Sequence, residues 1–213
     1  MDYQAFFESA VGQIALVGAV ILLLALIFFL SPKREKMNAK ALSLAAVLIA
    51  LAFVVNNFLP RYKMPQGGSV TLFSMFFLFL VGYVLGPKIG VLAGMAYGIL
   101  DLIMSPSAYY PMQILMDYPL AFGMLGVGAL LRNQKHGLYT GYLLGIFGRF
   151  LISFLSGLIF FGEYAPEGYT GFTWSLWYNL TYIGVEGALT LVVLAIPPVR
   201  KAVQQLTKQY RQA

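Results

Sequence analysis

At 213 residues, 60% hydrophobic and only 10% charged, the chain does not read as a soluble domain, which carries about 25% charge. Its net charge of +6 marks a nucleic-acid surface only if the basic residues are not segregated to one side of a membrane, so their distribution decides the matter. With no cysteine, disulfides and thiolate metal sites are excluded.

The first apolar run follows Asp2 and Glu8 instead of a basic region, and a basic cluster comes after it, which predicts a retained helix and not a cleaved signal. It spans about Gly12 to Leu30 and stops at Ser31-Pro32. Lys33, Arg34, Lys36 and Lys40 follow. A second segment runs from about Ala39 to Leu59, with small residues four apart at Ala41 and Ala45 and at Ala46 and Ala50. Such spacing lets helix backbones approach closely in lipid, either within the bundle or against another membrane protein. The connection from Pro60 to Ser69 holds Gly67-Gly68-Ser69, a turn with tight backbone geometry that makes no phosphate site without the rest of a P-loop.

A third segment, Val70 to Leu85, ends at Gly86-Pro87-Lys88, and a fourth, Ile89 to Met104, sets Gly90, Gly94 and Gly98 in one stripe that favours close helix packing. Asp101, near its far end, either borders the next loop or faces a cavity. After a neutral loop with Tyr109 and Tyr110, the fifth segment, about Met112 to Leu131, contains Gln113 and Asp117 on one helical face. A carboxylate in a segment otherwise suited to lipid is a functional-site candidate, and Pro119 should loosen the helix just beyond it. Arg132, Lys135 and the sole histidine, His136, form a basic turn expected to face solvent.

The sixth segment, Leu138 to Phe161, carries a polar line of Arg149, Ser153 and Ser156. An arginine here must pair, snorkel or line water, and Asp117 and Glu186 are the intramembrane carboxylates within its choice. The seventh opens on Trp174 and reaches Ala195 before Pro197-Pro198. Asn179, Tyr182 and Glu186 share one face, with Trp174 and Tyr178 nearer the start, where aromatic residues favour the membrane interface.

Seven crossings put Lys33, Arg34, Lys36, Lys40, Lys88, Arg132, Lys135, Arg200, Lys201, Lys208 and Arg211 on one side, eleven of the fourteen basic residues. The positive-inside rule then sets the N-terminus outside and the C-terminus in the cytoplasm of a multi-pass cell-membrane protein. The loop at 60–69, the two loop tyrosines and the starts of segments five and seven all fall on the outer side. Carboxylates, tyrosines and tryptophan gathered there suit a flat cationic or amine-bearing ligand.

Several short motifs run through this pattern: Met64-Pro-Gln-Gly-Gly-Ser69, Leu115-Met-Asp-Tyr118, Gly148-Arg-Phe150, Ser156-Gly157 with Phe160-Phe-Gly162, Ala165-Pro166 with Gly168, and Ser175-Leu-Trp-Tyr-Asn179 with Thr181-Tyr182. On these the chain, from about residue 38 to 200, resembles the thiamine-specific substrate-binding subunit of energy-coupling factor transporters, the YuaJ-type thiamine transporter family. The resemblance implies an all-α integral membrane protein with a six-helix substrate-binding bundle at 38–200. Residues 1–37 then form an additional transmembrane helix and basic linker, giving seven helices in total, and 201–213 a basic cytoplasmic tail. It implies high-affinity thiamine capture near the outer face and association with a transmembrane coupling subunit and two cytoplasmic ATPases, without catalysis, cofactor, metal or nucleic acid.

By the same resemblance Asp117 and Tyr118 supply the pocket carboxylate and its tyrosine, Asn179 the asparagine, Trp174 a last-helix aromatic, Tyr109 or Tyr110 the loop tyrosine, and Gly67, Gly68 and Ser69 the gating loop. Ala41, Ala45, Ala46 and Ala50 would serve the coupling contact. Gln113, Tyr178, Tyr182, Glu186, Arg149 and Ser153 complete the expected substrate-binding set. Some members carry glutamate in place of Asp117 and histidine about where Ser153 stands, differences that bear on ligand geometry. A thiamine precursor or another vitamin is the alternative cargo. An intramembrane enzyme is disfavoured by the lack of HExxH, Gly-x-Ser-x-Gly and CxxC, and a structural adaptor would leave the outer cluster unexplained.

Overall fold

The computed structural model describes residues 6, 9–31, 38–60, 62–64, 68–107 and 109–211. Lys33, Arg34, Lys36 and Gly67, invoked above for topology and for the turn, lie outside the described residues, as do Asp2 and Glu8.

Helix α1, Ala10–Leu30, begins where the Ser9 side chain accepts the Gly12 amide at 3.2 Å, and ends where the Ser31 hydroxyl and amide both donate to the Ile27 carbonyl. Helix α2, Ala39–Phe58, is capped in the same manner by Asn38, whose Oδ1 accepts the Ala41 amide at 2.8 Å. A two-residue antiparallel pairing follows, β1 Tyr62–Lys63 with β2 Ser69–Val70. Helix α3 is Ser74–Leu85; it begins four residues later than hydropathy suggests because Val70 is engaged with Tyr62 in that ladder. Gly86, at φ 131°, turns the chain into α4, Pro87–Met104, whose Pro87 stands in the first turn where no amide donor is required.

Helix α5 spans Pro111–Leu131 and is not uniform: Pro111–Leu115 is α-helical, Met116–Leu120 forms a π turn, Ala121–Val127 resumes the α-helix and Gly128–Leu131 tightens to a 3-10 turn. Pro119, which has no amide to give, lies inside the π turn. Helix α6 is Gly137–Phe160 and α7 is Gly171–Ala195, the latter opened by a reciprocal box in which Thr170 and Thr173 each cap the other's amide. Of the basic tail expected at 201–213, residues 201–211 belong to a helix that starts earlier, α8, Pro197–Arg211.

Six of these helices, α1, α2, α4, α5, α6 and α7, are long and apolar enough to cross a membrane, while α3 has 12 residues and reaches about 18 Å of a core about 30 Å thick. The chain is thus an all-α, multi-pass membrane protein. Close backbone packing follows the glycines of α4. A methyl group at Gly98 would strike the Tyr118 carbonyl, one at Gly94 the Phe122 carbonyl, and one at Gly90 the backbones of Gly82 and Gly126. Association in lipid gains little from hydrophobicity, so close backbone contact is what holds α4 on α3 and α5.

One core cluster lies near the end where α2 starts and α3 stops, with Ala41, Ala45, Phe79, Val84, Tyr142, Leu194 and Val203 buried together. Helix α8 closes that end: Val203 and Thr207 face inward, Lys40 sits 5.0 Å from the Tyr210 ring, and Arg211 donates to the Tyr83 and Arg132 carbonyls. The added helix α1 lies along the opposite flank, Leu16 and Val20 beside Met116, Leu120 and Phe160, and Ile27 beside Val91 and Val127.

Candidate functional site: a polar, aromatic-walled cavity at one end of the bundle

At the end away from α8 the helices part around a cavity of about 340 Å³, within the range of small-molecule sites. Helix α5 supplies Gln113, Asp117 and Tyr118; α6 supplies Arg149, Ser153 and Gly157; α7 supplies Trp174, Ser175, Tyr178, Asn179 and Tyr182. The turn between α2 and α3 adds Met64, Gly68, Ser69, Thr71 and Ser74, and the end of α4 with its following loop adds Asp101 and residues 104–107.

The π turn sets the carboxylate. Because a π turn accommodates one residue more than an α turn, Met116 and Leu120 stay buried against α1 and α6 while Asp117 lines the cavity. Gln113, one turn earlier and 1% exposed, donates to Asp117 Oδ2 at 2.6 Å and to the Ser107 carbonyl at 2.9 Å, and its Oε1 accepts the Tyr109 amide. It therefore ties the carboxylate to the loop that borders the opening. Tyr118 does the same from the next position, its hydroxyl accepting the Ser107 amide at 2.7 Å and donating to the Ser105 carbonyl at 3.0 Å.

On α7, Trp174, Tyr178 and Tyr182 recur every four residues and form a ladder of rings with centroids 5.8 and 5.6 Å apart. Polar groups fix that ladder. Tyr182 donates to Asn179 Oδ1 at 3.0 Å, Asn179 donates to the Ser175 carbonyl at 2.9 Å, and Ser175 donates to the Phe154 carbonyl of α6 at 2.7 Å. The Tyr178 hydroxyl accepts the Gly68 amide at 2.8 Å and so holds the turn against the ladder.

Arg149 lines the cavity with its guanidinium carbon 4.0 Å from the centre of the Phe122 ring. Its Nε and Nη1 are buried and take no hydrogen bond among the described residues, so neither of the two carboxylates considered from sequence engages those nitrogens. Asp101 also lines the cavity and accepts the Asn56 side-chain amide at 2.6 Å.

The remaining sequence expectations fall elsewhere. Glu186 shares the face of Asn179 and Tyr182 but lies deeper, 3% exposed and outside the lining, its carboxylate engaged by the Thr71 and Ser74 hydroxyls and the Met75 amide. Tyr109 and Tyr110 are also outside the lining, because their rings pack on Phe161 and Phe160 at the end of α6. Ala41 and Ala45 turn inward and are 5% exposed, whereas Ala46 and Ala50 face outward. Asn56, Thr71, Ser74, Ser105 and Ser107 were not anticipated. Short polar residues near helix ends look like ordinary caps, and only Asp101 carried a charge to draw attention.

Fold and site together define a multi-pass membrane protein of the solute-binding kind: a polar cavity open at one end of the bundle, charged groups of both signs on its walls, and rings along one side. Comparison with known proteins names the kind. Residues 42–206 match the family model described as thiamine transporter protein. The thiamine transporter ThiT of Bacillus subtilis is 30% identical over 171 residues, covering 72% of this chain and 85% of that protein. The ThiT of Lacticaseibacillus paracasei is 31% identical over 121 residues, covering 49% of this chain and 60% of that one. The solved structure of ThiT from Listeria monocytogenes superposes with a TM-score of 0.60 at 20% identity, covering 78% of this chain and 96% of that one. The chain belongs to the YuaJ/ThiT family, the thiamine-specific substrate-binding components of energy-coupling factor transporters, which are transport proteins and not enzymes.

Proposed function

We propose that this chain captures thiamine in the cavity between α5, α6 and α7 at the outer face of the cell membrane and delivers it through a separate transmembrane coupling subunit driven by two cytoplasmic ATPases. The observation that carries the reading is the juxtaposition, on one cavity, of the Asp117 carboxylate with the Trp174–Tyr178–Tyr182 ladder. A flat cation with an exocyclic amine gains from both: the carboxylate accepts from the amine and offsets positive charge, and ring faces attract the cationic ring. Arg149 presents buried donors for which a ligand acceptor is the natural partner, since an unpaired buried donor is costly.

The remaining assignments follow from the same reading. Basic residues Lys40, Lys88, Arg132, Lys135 and those of α8 belong to the end away from the cavity, which supports a cytoplasmic α8 and an outward cavity. The outward stripe of Ala46 and Ala50 on α2, flanked by exposed Leu42 and Val47, is the surface that best suits the coupling subunit. The test of the cargo is competition. Thiamine added to the purified protein should quench the fluorescence of Trp174 and be displaced only weakly by its isolated pyrimidine moiety and not by riboflavin. Displacement by riboflavin at equal concentration would move the assignment to another vitamin.

A further inference from the structure

Glu186 is a buried carboxylate that the binding reading above does not use. It is 3% exposed, it does not reach the cavity, and its oxygens are met by three donors from one short stretch: the Thr71 hydroxyl on Oε2, and the Ser74 hydroxyl at 3.1 Å and the Met75 amide at 2.8 Å on Oε1. That stretch is the start of α3, and it has no cap of its own. Phe73, the residue before the helix, makes no side-chain capping bond and sits at φ 67°, a left-handed conformation unfavourable for a residue other than glycine. Of the amides left open there, the carboxylate on α7 takes that of Met75, and a negative group suits the positive end of the helix.

The consequence reaches the cavity because Thr71 and Ser74, which hold Glu186, also line it, together with Gly68 and Ser69. The same wall is pinned a second time to the same helix, through the Gly68 amide on the Tyr178 hydroxyl. Tyr178 and Glu186 stand eight residues apart on α7, so the wall is fastened at two points about 12 Å apart. Resting on the thiamine reading for the identity of the ligand, we propose that Glu186 is a positioning residue. It holds the Gly68–Met75 wall against α7 and thereby slows release of bound thiamine, without touching the ligand.

The test is Glu186→Gln in the full chain. Glutamine keeps the shape and, because the Thr71 and Ser74 hydroxyls can turn to accept from its amide, can keep the bonds, but it removes the charge that strengthens all three of them. Thiamine should dissociate about tenfold faster by stopped-flow fluorescence, with the melting temperature in detergent little changed. Ligand-free protein should also be cut faster by trypsin at Lys63, within the connection the wall belongs to. Thr71→Val should give the same phenotype, and the double variant should be no worse than either single one, since both weaken one clamp.

An unchanged off-rate and cleavage rate in Glu186→Gln would overturn the proposal, as would fully additive effects with Thr71→Val, which would mean that Glu186 acts apart from the wall. If Glu186→Gln fails to fold, Thr71→Val and Ser74→Ala, which cut the clamp from its other side, carry the same two outcomes. Should the unaltered protein bind no thiamine, the functional reading falls alone, and the trypsin measurement still decides the clamp.

Discussion

A carboxylate in a membrane-spanning segment persists only where something offsets its desolvation, and Asp117 has two such aids: the Gln113 amide on one oxygen and a cavity in place of lipid. The tyrosine ladder works through similar pairings, which makes single hydroxyls informative. Tyr178→Phe removes the acceptor of the Gly68 amide and nothing of the ring. Thiamine affinity should fall about fivefold by equilibrium fluorescence titration, the effect of one neutral hydrogen bond of about 1 kcal/mol, while the ring contacts keep the protein folded. What was legible at this scale was whatever helical spacing alone determines. Gln113 and Asp117, four apart, do meet. Glu186 shares the face of Asn179 and Tyr182, yet spacing gives a face and not a depth, and two turns further along α7 the same face meets the start of α3. Arg149 was left between pairing, snorkelling and lining water, because that choice turns on where Phe122 of another helix stands.

Among the helices, α5 carries the site and α4 carries α5. The Gly98 position abuts the Tyr118 carbonyl, inside the π turn that presents Asp117, so α4 supports the turn by backbone contact alone. Gly98→Ala should therefore lower the stability in detergent by about 1–3 kcal/mol, the usual cost of overpacking, and weaken thiamine binding with it. An equal melting temperature and equal affinity would show that the contact bears no load. The glycine stripe was readable because four-residue spacing of small residues has one main use in lipid. The disturbance at Pro119 was also readable, but not its form, since proline removes a donor without dictating whether the helix kinks or takes up an extra residue. The late start of α3 was hidden for a different reason: Val70 suits a strand as well as a helix, and its pairing with Tyr62 is non-local. Helix α8 was obscured by its polar composition, because its apolar face holds little more than Val199, Val203, Leu206 and Tyr210.

Seen as a whole, the molecule is polarised, with the polar cavity at one end and α8 and most of the described basic residues, Lys63 and Arg149 excepted, at the other. The added helix α1 packs on the flank formed by α4, α5 and α6 and leaves Ala46 and Ala50 of α2 uncovered, so it does not obstruct the surface proposed above for the coupling subunit. The chain lacks cysteine, which makes its orientation directly measurable. A single cysteine at Tyr164, in the exposed loop after α6, should react in intact cells with a membrane-impermeant maleimide, and one at Gln209 on α8 should react only after lysis. The reverse pattern would invert the topology and turn the cavity toward the cytoplasm. All of this depends on the cavity being a thiamine site in which Asp117 provides the charge. The most direct measurement is calorimetric titration of thiamine into the purified protein and into Asp117→Asn. The unaltered protein should give a saturable one-to-one heat, and the variant should bind at least about tenfold more weakly, as loss of a charge-assisted bond requires. Equal affinity in the two, or no heat from folded unaltered protein, would contradict the account.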